Sequence, residues 1–266
     1  LSLEPICKYL SGKLNKKIQF IKDVNDTIDF TNHDIAMLEN VRFNIGEKKC
    51  DPKLSQTIAS LADIFVFDAF GVSHRSECTT IGVANYLETV AGLNIRYEIH
   101  TINKLINEQS RPMTIIISGA KVSTKIVLIK KLLAKCDYMV LGGGILNTFL
   151  RAKGHEVGKS LIEEGYVSDA VKILESDFAD KIIFPSDFSC ATEDGIANVE
   201  ISRISTTDTI YDLGSASINE IKNIVRKSVS VFWNGPLGYV EKKPFNKGTE
   251  ELAKAIADHN CFSIVG

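Results

Sequence analysis

The chain has 266 residues, 44% of them hydrophobic and 24% charged, enough for two ordinary domains with buried cores and too apolar for disorder. Lysine and arginine number 31 against 33 aspartate and glutamate, a net charge of −2, which excludes a generally basic nucleic-acid coat and a polybasic membrane surface. No apolar run approaches the ~18 residues that span a bilayer, and LSLEPICKYL carries no secretory signal pattern.

In chain order, Leu3, Ile6, Cys7, Leu10 and Leu14 predict a helix over 3–15, leading to a strand at IQFI (18–21) and then AMLEN (36–40). DPKLSQTIASLA (51–62) reads as a helix with Asp51 as N-cap and Pro52 in its first turn. IFVFDAFG (64–71) reads as a buried strand and turn, and 84–108 as largely helical. A domain junction is expected there, giving domains 1–108 and 109–266 with Arg111-Pro112 opening the second. Beyond it, short apolar runs alternate with helical patterns: IIIS (115–118) before 122–134, YMVLGGG (138–144) before 145–153, KIIFP (181–185), TIYDLG (209–214) before 217–227, VSVFWNGP (229–236) before 246–258, and CFSIV (261–265). Continuous apolar strands alternating with helices predict an α/β fold with parallel sheets covered on both faces. Leu1 and the closing Val265-Gly266 read as cut ends, the latter a strand left without its covering helix.

The six cysteines are scattered, with no C-x-x-C pair, and read as free thiols, mostly buried, in a reducing cytoplasm. The five histidines are equally dispersed, so spacing assembles no metal site. Several strings imitate known loops. GHEVGKS (154–160) is one residue short between its glycines for a phosphate-wrapping nest, so a P-loop ATPase using Lys159 and Ser160 is the weakest reading. GGGILNT (142–148) would put Asn147 where a dinucleotide fingerprint needs its third glycine. Asp68-Ala69-Phe70-Gly71 lacks a kinase catalytic loop before it.

What survives is a set of basic and small residues placed just after predicted strands, where open α/β sheets bind ligands. These are Arg42, His74 and Arg75 in the first half, and Gly119, Lys121, Lys125, Asn234, Gly235, Pro236 and Gly238 in the second. Singly, each has a bland explanation: a solvated arginine, an exposed helix face, an ordinary turn, or, for Gly142–Gly144, close helix–sheet packing. Together they point to anion binding, with arginine forks suited to carboxylates and phosphates and two lysines at a helix start forming a phosphate cradle. No nucleophile is paired with a base, which suits phosphoryl transfer to an acceptor that is already ionised.

The strings LENVRF (38–43), ASLADIFVFDAFGVSHR (59–75), GAKVSTK (119–125), VLGGGILNTFL (140–150), VGKSLIEE (157–164) and FWNGPLGYVE (232–241) resemble those of the phosphoglycerate kinase family, in that family's order and spacing. The resemblance implies two Rossmann-like domains facing across a cleft, the first, incomplete in this sequence, holding 3-phosphoglycerate or 1,3-bisphosphoglycerate and the second Mg2+ with ADP or ATP. By motif, Arg42, His74 and Arg75 would clamp the triose acid, with Arg42 and Lys121 acting in the transfer. Gly119, Ala120, Lys125, Gly142, Gly143, Gly214, Asn234, Pro236, Gly238 and Glu241 would line the nucleotide pocket, Gly214 near the adenosine and Glu241 at the ribose. No residue is assigned to metal. The implied protein is a cytoplasmic, glycolytic monomer without nucleic-acid or membrane partners. The sequence departs from the family pattern in lacking its D-F-N-x-P and H-L-G-R-P opening and in stopping where its G-G-G-D-[ST] turn begins. Ser118 replaces a glycine, Thr124 an aspartate and Ser215 a proline. The alternative left open is a non-catalytic nucleotide- or phosphate-binding fragment of the same fold.

Overall fold

A computed structural model describes residues 1–107 and 111–266. The chain divides into two compact units, Leu1–Thr101 and Ile102–Gly266. The domain boundary expected at 108/109 lies outside the described residues.

In the first unit, helix α1 (Glu4–Leu14) leads to the parallel pair β1 (Ile18–Ile21) and β2 (Ile35–Leu38), registered Ile18 to Ile35. Helix α2 (Pro52–Ala59) starts as its sequence predicts: Asp51 accepts a bond from Leu54 N–H, satisfying one of the donors that every helix start leaves free. Strand β3 (Ile64–Phe67) pairs in parallel with β4 (Glu88–Ala91). Two expectations are corrected here. Strand β3 is not buried, since Ile64 is 53% and Val66 57% exposed in a sheet of only two strands. The stretch from 84 is not helical until Gly92: β4 intervenes, and α3 (Leu93–Asn107) follows. The Asp68 carboxylate caps that helix, accepting from Ile95 N–H at 2.9 Å and from Asn94 Nδ2 at 2.7 Å. Asp68 of the DAFG turn therefore serves the start of α3 from a distance in sequence, with Gly92 leaving the room that it fills.

The second unit is built on a five-stranded parallel sheet in the order β12-β11-β5-β6-β7. Its strands are β5 (Met113–Ser118), β6 (Tyr138–Gly142), β7 (Ile182–Ile183), β11 (Ser230–Asn234) and β12 (Phe262–Val265). Every residue of β5 is buried, which is why it reads as an unbroken apolar run. Helices α4 (Ile126–Leu133), α5 (Gly143–Ala152), α6 (Val167–Leu174), α7 (Ser215–Lys227) and α8 (Lys247–Ala257) complete the unit. Ile145, Leu146, Phe149 and Leu150 of α5 are all at most 2% exposed, so that helix lies inside the core. TIYDLG contradicts the all-parallel expectation. It forms β10 (Thr209–Leu213), antiparallel to β8 (Asp187–Thr192), which pairs antiparallel with β9 (Gly195–Glu200).

Strand order fixes where a ligand can sit. From β5 the chain adds β6 and β7 on one side, then β11 and β12 on the other, so the order reverses between β5 and β11. Open α/β sheets bind ligands outside the carboxyl ends of the strands at such a reversal.

Candidate functional site

At that reversal point β5 ends in Ser118-Gly119 and β11 in Asn234-Gly235. Lys125, just before α4, reaches across it: its Nζ donates to the Ser118 carbonyl and to Asn234 Oδ1. Burial holds the pKa of this ammonium below the usual lysine value. The loops approach too closely for side chains. A Cβ on Gly235, whose φ is +87°, would stand 2.6 Å from the Ser118 carbonyl, and one on Gly144 would stand 2.3 Å from that of Ala120. Trp233, the sole tryptophan, is 5% exposed, and its Nε1 donates to the Gly235 carbonyl at 2.7 Å.

Beside this junction lies a cavity of about 370 Å³, of the size that takes a small ligand. Its wall includes Gly119, Ala120, Gly143, Pro236, Gly238 and Glu241, all expected from sequence. It also includes Gly144, Asn147, Leu161, Ile210, Tyr211 and Tyr239, which sequence reasoning did not select. Several of these stood inside the quoted strings, and only the fold shows which of them face the cavity. Asn147 Nδ2 donates to the Leu161 carbonyl, and the Tyr211 and Tyr239 rings stack 5.6 Å apart. Asp212, on β10 beneath this wall, accepts from Gly248 N–H and from its own Leu213 N–H, each at 2.8 Å. Burial pushes its carboxyl up to about 6, against the pull of those bonds.

Gly142, Gly214, Lys125 and Asn234 are not part of the cavity wall. Gly142 packs on Ser118, and Gly214 leaves space for Asp187, whose carboxylate accepts from Ser217 N–H and Ala216 N–H at the start of α7. Lys121 is exposed, and its charge helps to hold the Glu163 carboxyl below the usual glutamate value. The helix start at α4 is not a free cradle either: Glu163 takes Ser123 N–H and Oγ at 2.8 Å, and these bonds hold its pKa below the usual value. The Walker-like string is consumed in packing. Lys159 N–H donates to the Asp208 carbonyl and Ser160 Oγ accepts from Ile210 N–H.

In the first unit, Arg42 and Arg75 meet on one carboxylate absent from the sequence-derived set. Arg42 Nη2 lies 3.2 Å from Glu77 Oε2 and Arg75 Nη1 lies 3.3 Å from Glu77 Oε1. Burial raises the Glu77 pKa, but the two guanidiniums outweigh it and leave it below the usual glutamate value. His74 is exposed and makes no hydrogen bond among the described residues.

A parallel sheet with a glycine-walled cavity at its reversal point, and a lysine bridging the two strand ends beside it, defines the class: an α/β protein with a small-ligand site at the carboxyl ends of its strands. A family model for phosphoglycerate kinase matches residues 1–266. The structure of phosphoglycerate kinase from Coxiella burnetii superposes with a TM-score of 0.82 at 36% identity, over 100% of this chain and 70% of that one. The crystal structure of phosphoglycerate kinase from Pyrococcus horikoshii OT3 gives 0.85 at 27% identity, over 100% and 72%. The chain belongs to the phosphoglycerate kinase family, and its function is that of a phosphotransferase acting on a nucleotide and phosphoglycerate.

Proposed function

We propose that the chain carries out reversible phosphoryl transfer between the carboxyl group of 3-phosphoglycerate and ADP, through 1,3-bisphosphoglycerate, as a glycolytic cytoplasmic monomer. Residues 1–108 bind the triose acid and 109–266 the nucleotide. The observation that carries this reading is the cavity at the sheet reversal, walled by Gly119, Ala120, Gly143, Pro236, Gly238 and Glu241, with Lys125 and Asn234 bonded to each other at the adjoining strand ends. The nucleotide phosphates lie toward Lys125 and Asn234, and Glu241 reaches the ribose. Arg42, His74 and Arg75 hold the acid, by the fork geometry that suits carboxylates and phosphates. Lys121, exposed at the start of the turn that leads into α4, meets the transferring group and offsets charge on its equatorial oxygens.

The acceptor carboxylate is ionised at neutral pH, so no base has to take a proton from it and positioning does most of the work. Among the described residues no three His, Cys, Asp or Glu side chains gather as a metal cage. Magnesium is commonly held by substrate phosphates and water with one or two carboxylates. When bound, it would enter with the nucleotide and offset charge on its phosphates.

A coupled assay with 3-phosphoglycerate and MgATP tests the reading. Turnover by the 266-residue chain is the expected result, with Lys121→Ala lowering kcat at least a hundredfold and the KM values less than fivefold. A Lys121→Ala variant with unchanged kcat would remove Lys121 from the reaction.

A further inference from the structure

We propose that Glu77 is a resident carboxylate that competes with the acid substrate for Arg42 and Arg75 and so lowers the chain's affinity for it. The inference rests on the reading of those two arginines as the acid clamp. Both guanidiniums reach the same side chain, one to each oxygen, although the arginines lie 35 and 2 residues away in sequence. A carboxylate between two arginine forks is the arrangement that the clamp would otherwise offer to a ligand.

The contacts are loose. At 3.2 and 3.3 Å they exceed the ~2.7–2.9 Å of tight charge-assisted bonds, and each arginine uses one nitrogen rather than a paired fork. The arginine side chains are 39% and 42% exposed, whereas that of Glu77 is 9% exposed. Most guanidinium donors therefore remain open to a ligand arriving from solvent, while the competing carboxylate stays behind them.

Glu77 cannot leave when a ligand enters. Its backbone N–H donates to Thr80 Oγ1 at 2.9 Å and its carbonyl accepts from Thr80 N–H at 3.2 Å, which pins the main chain beneath a side chain only 9% exposed. An incoming triose acid, with a carboxylate and a phosphate, thus meets two positive charges and one fixed negative charge. Repulsion from that fixed charge grows with the charge of the ligand. The penalty should then be larger for 3-phosphoglycerate than for inorganic phosphate, and absent for a nucleotide bound in the other unit's cavity.

Calorimetric titration of the full chain with 3-phosphoglycerate, inorganic phosphate and ADP tests this. The Glu77→Gln variant keeps the shape and removes the charge. It should bind 3-phosphoglycerate at least tenfold tighter and phosphate less than fivefold tighter, with ADP affinity within twofold of wild type. Glu77→Ala, which removes charge and side chain together, should also tighten 3-phosphoglycerate and keeps the test available if the glutamine variant does not fold. Unchanged or weaker binding of 3-phosphoglycerate in the folded variants would overturn the proposal and leave Glu77 as a scaffold for the arginines. Arg75→Ala is the control on the underlying reading. If it leaves 3-phosphoglycerate binding unchanged, the clamp itself is wrong, whatever the Glu77 variants do.

Discussion

The two units put cationic side chains to similar use on scaffolds of very different depth. In Ile102–Gly266, Lys125 is held at the end of a five-stranded sheet whose β5 is wholly buried. In Leu1–Thr101, Arg42 and Arg75 stand on short helical turns and loops beside two-stranded sheets, and the apolar residues Ile64, Val66 and Val90 remain exposed. The deep unit fixes its cation through backbone and amide oxygens on neighbouring strands. The shallow one fixes its pair through a single buried carboxylate. A thick sheet can specify a site by strand position alone, whereas a thin one needs a local counter-charge to bring distant residues together.

Stability should separate the units most sharply. Phe149→Ala empties a fully buried site in α5 and should cost about 3–5 kcal/mol. Val66→Ala, at a side chain 57% exposed, should stay within about 0.5 kcal/mol. Urea unfolding followed by circular dichroism measures both, and equal losses would break the contrast.

A second test uses pH. Asp212 has its folded pKa raised to about 6 from 3.8, so the folded state holds the proton more tightly than the unfolded chain. Its favourable contribution is complete below about pH 4 and is lost as pH rises through 6. Glu77, Glu163 and Glu251, with lowered values, act in the opposite sense at lower pH. The unfolding free energy of wild type minus that of Asp212→Asn should therefore fall between pH 4 and pH 6. A flat difference curve would show that the carboxyl titrates normally.

The smallest effect belongs to the first unit. Asp51→Ala removes the cap of α2 and should cost about 1 kcal/mol, read as a shift in urea midpoint at constant slope. No measurable shift would show that the α2 start is held by packing instead.

Legibility in the sequence followed the same division. Helix α2 was readable because its cap and proline obey local chemistry. The strands of the deep sheet were readable because two-sided burial leaves unbroken apolar runs. Strand β4 was not, since Glu88, Thr89, Val90 and Ala91 are all exposed and carry no pattern. The β8–β9 hairpin had a usable signal in Asp194-Gly195. It was missed because β9 is mostly exposed and its residues show no apolar run. At the sites, Lys125 and the glycines could be found by position after strands. Glu77 and Glu163 could not, because a carboxylate that answers a distant arginine or caps a distant helix start leaves no spacing to read.

Trp233 gives the comparison an optical handle. As the only indole in the chain, bonded to the Gly235 carbonyl next to Pro236 of the cavity wall, its emission reports on one unit alone. Fluorescence should respond when ADP fills the cavity and stay silent when 3-phosphoglycerate meets the arginines. A loss of emission signal before the loss of dichroism would then time the opening of Ile102–Gly266 separately from the melting of Leu1–Thr101.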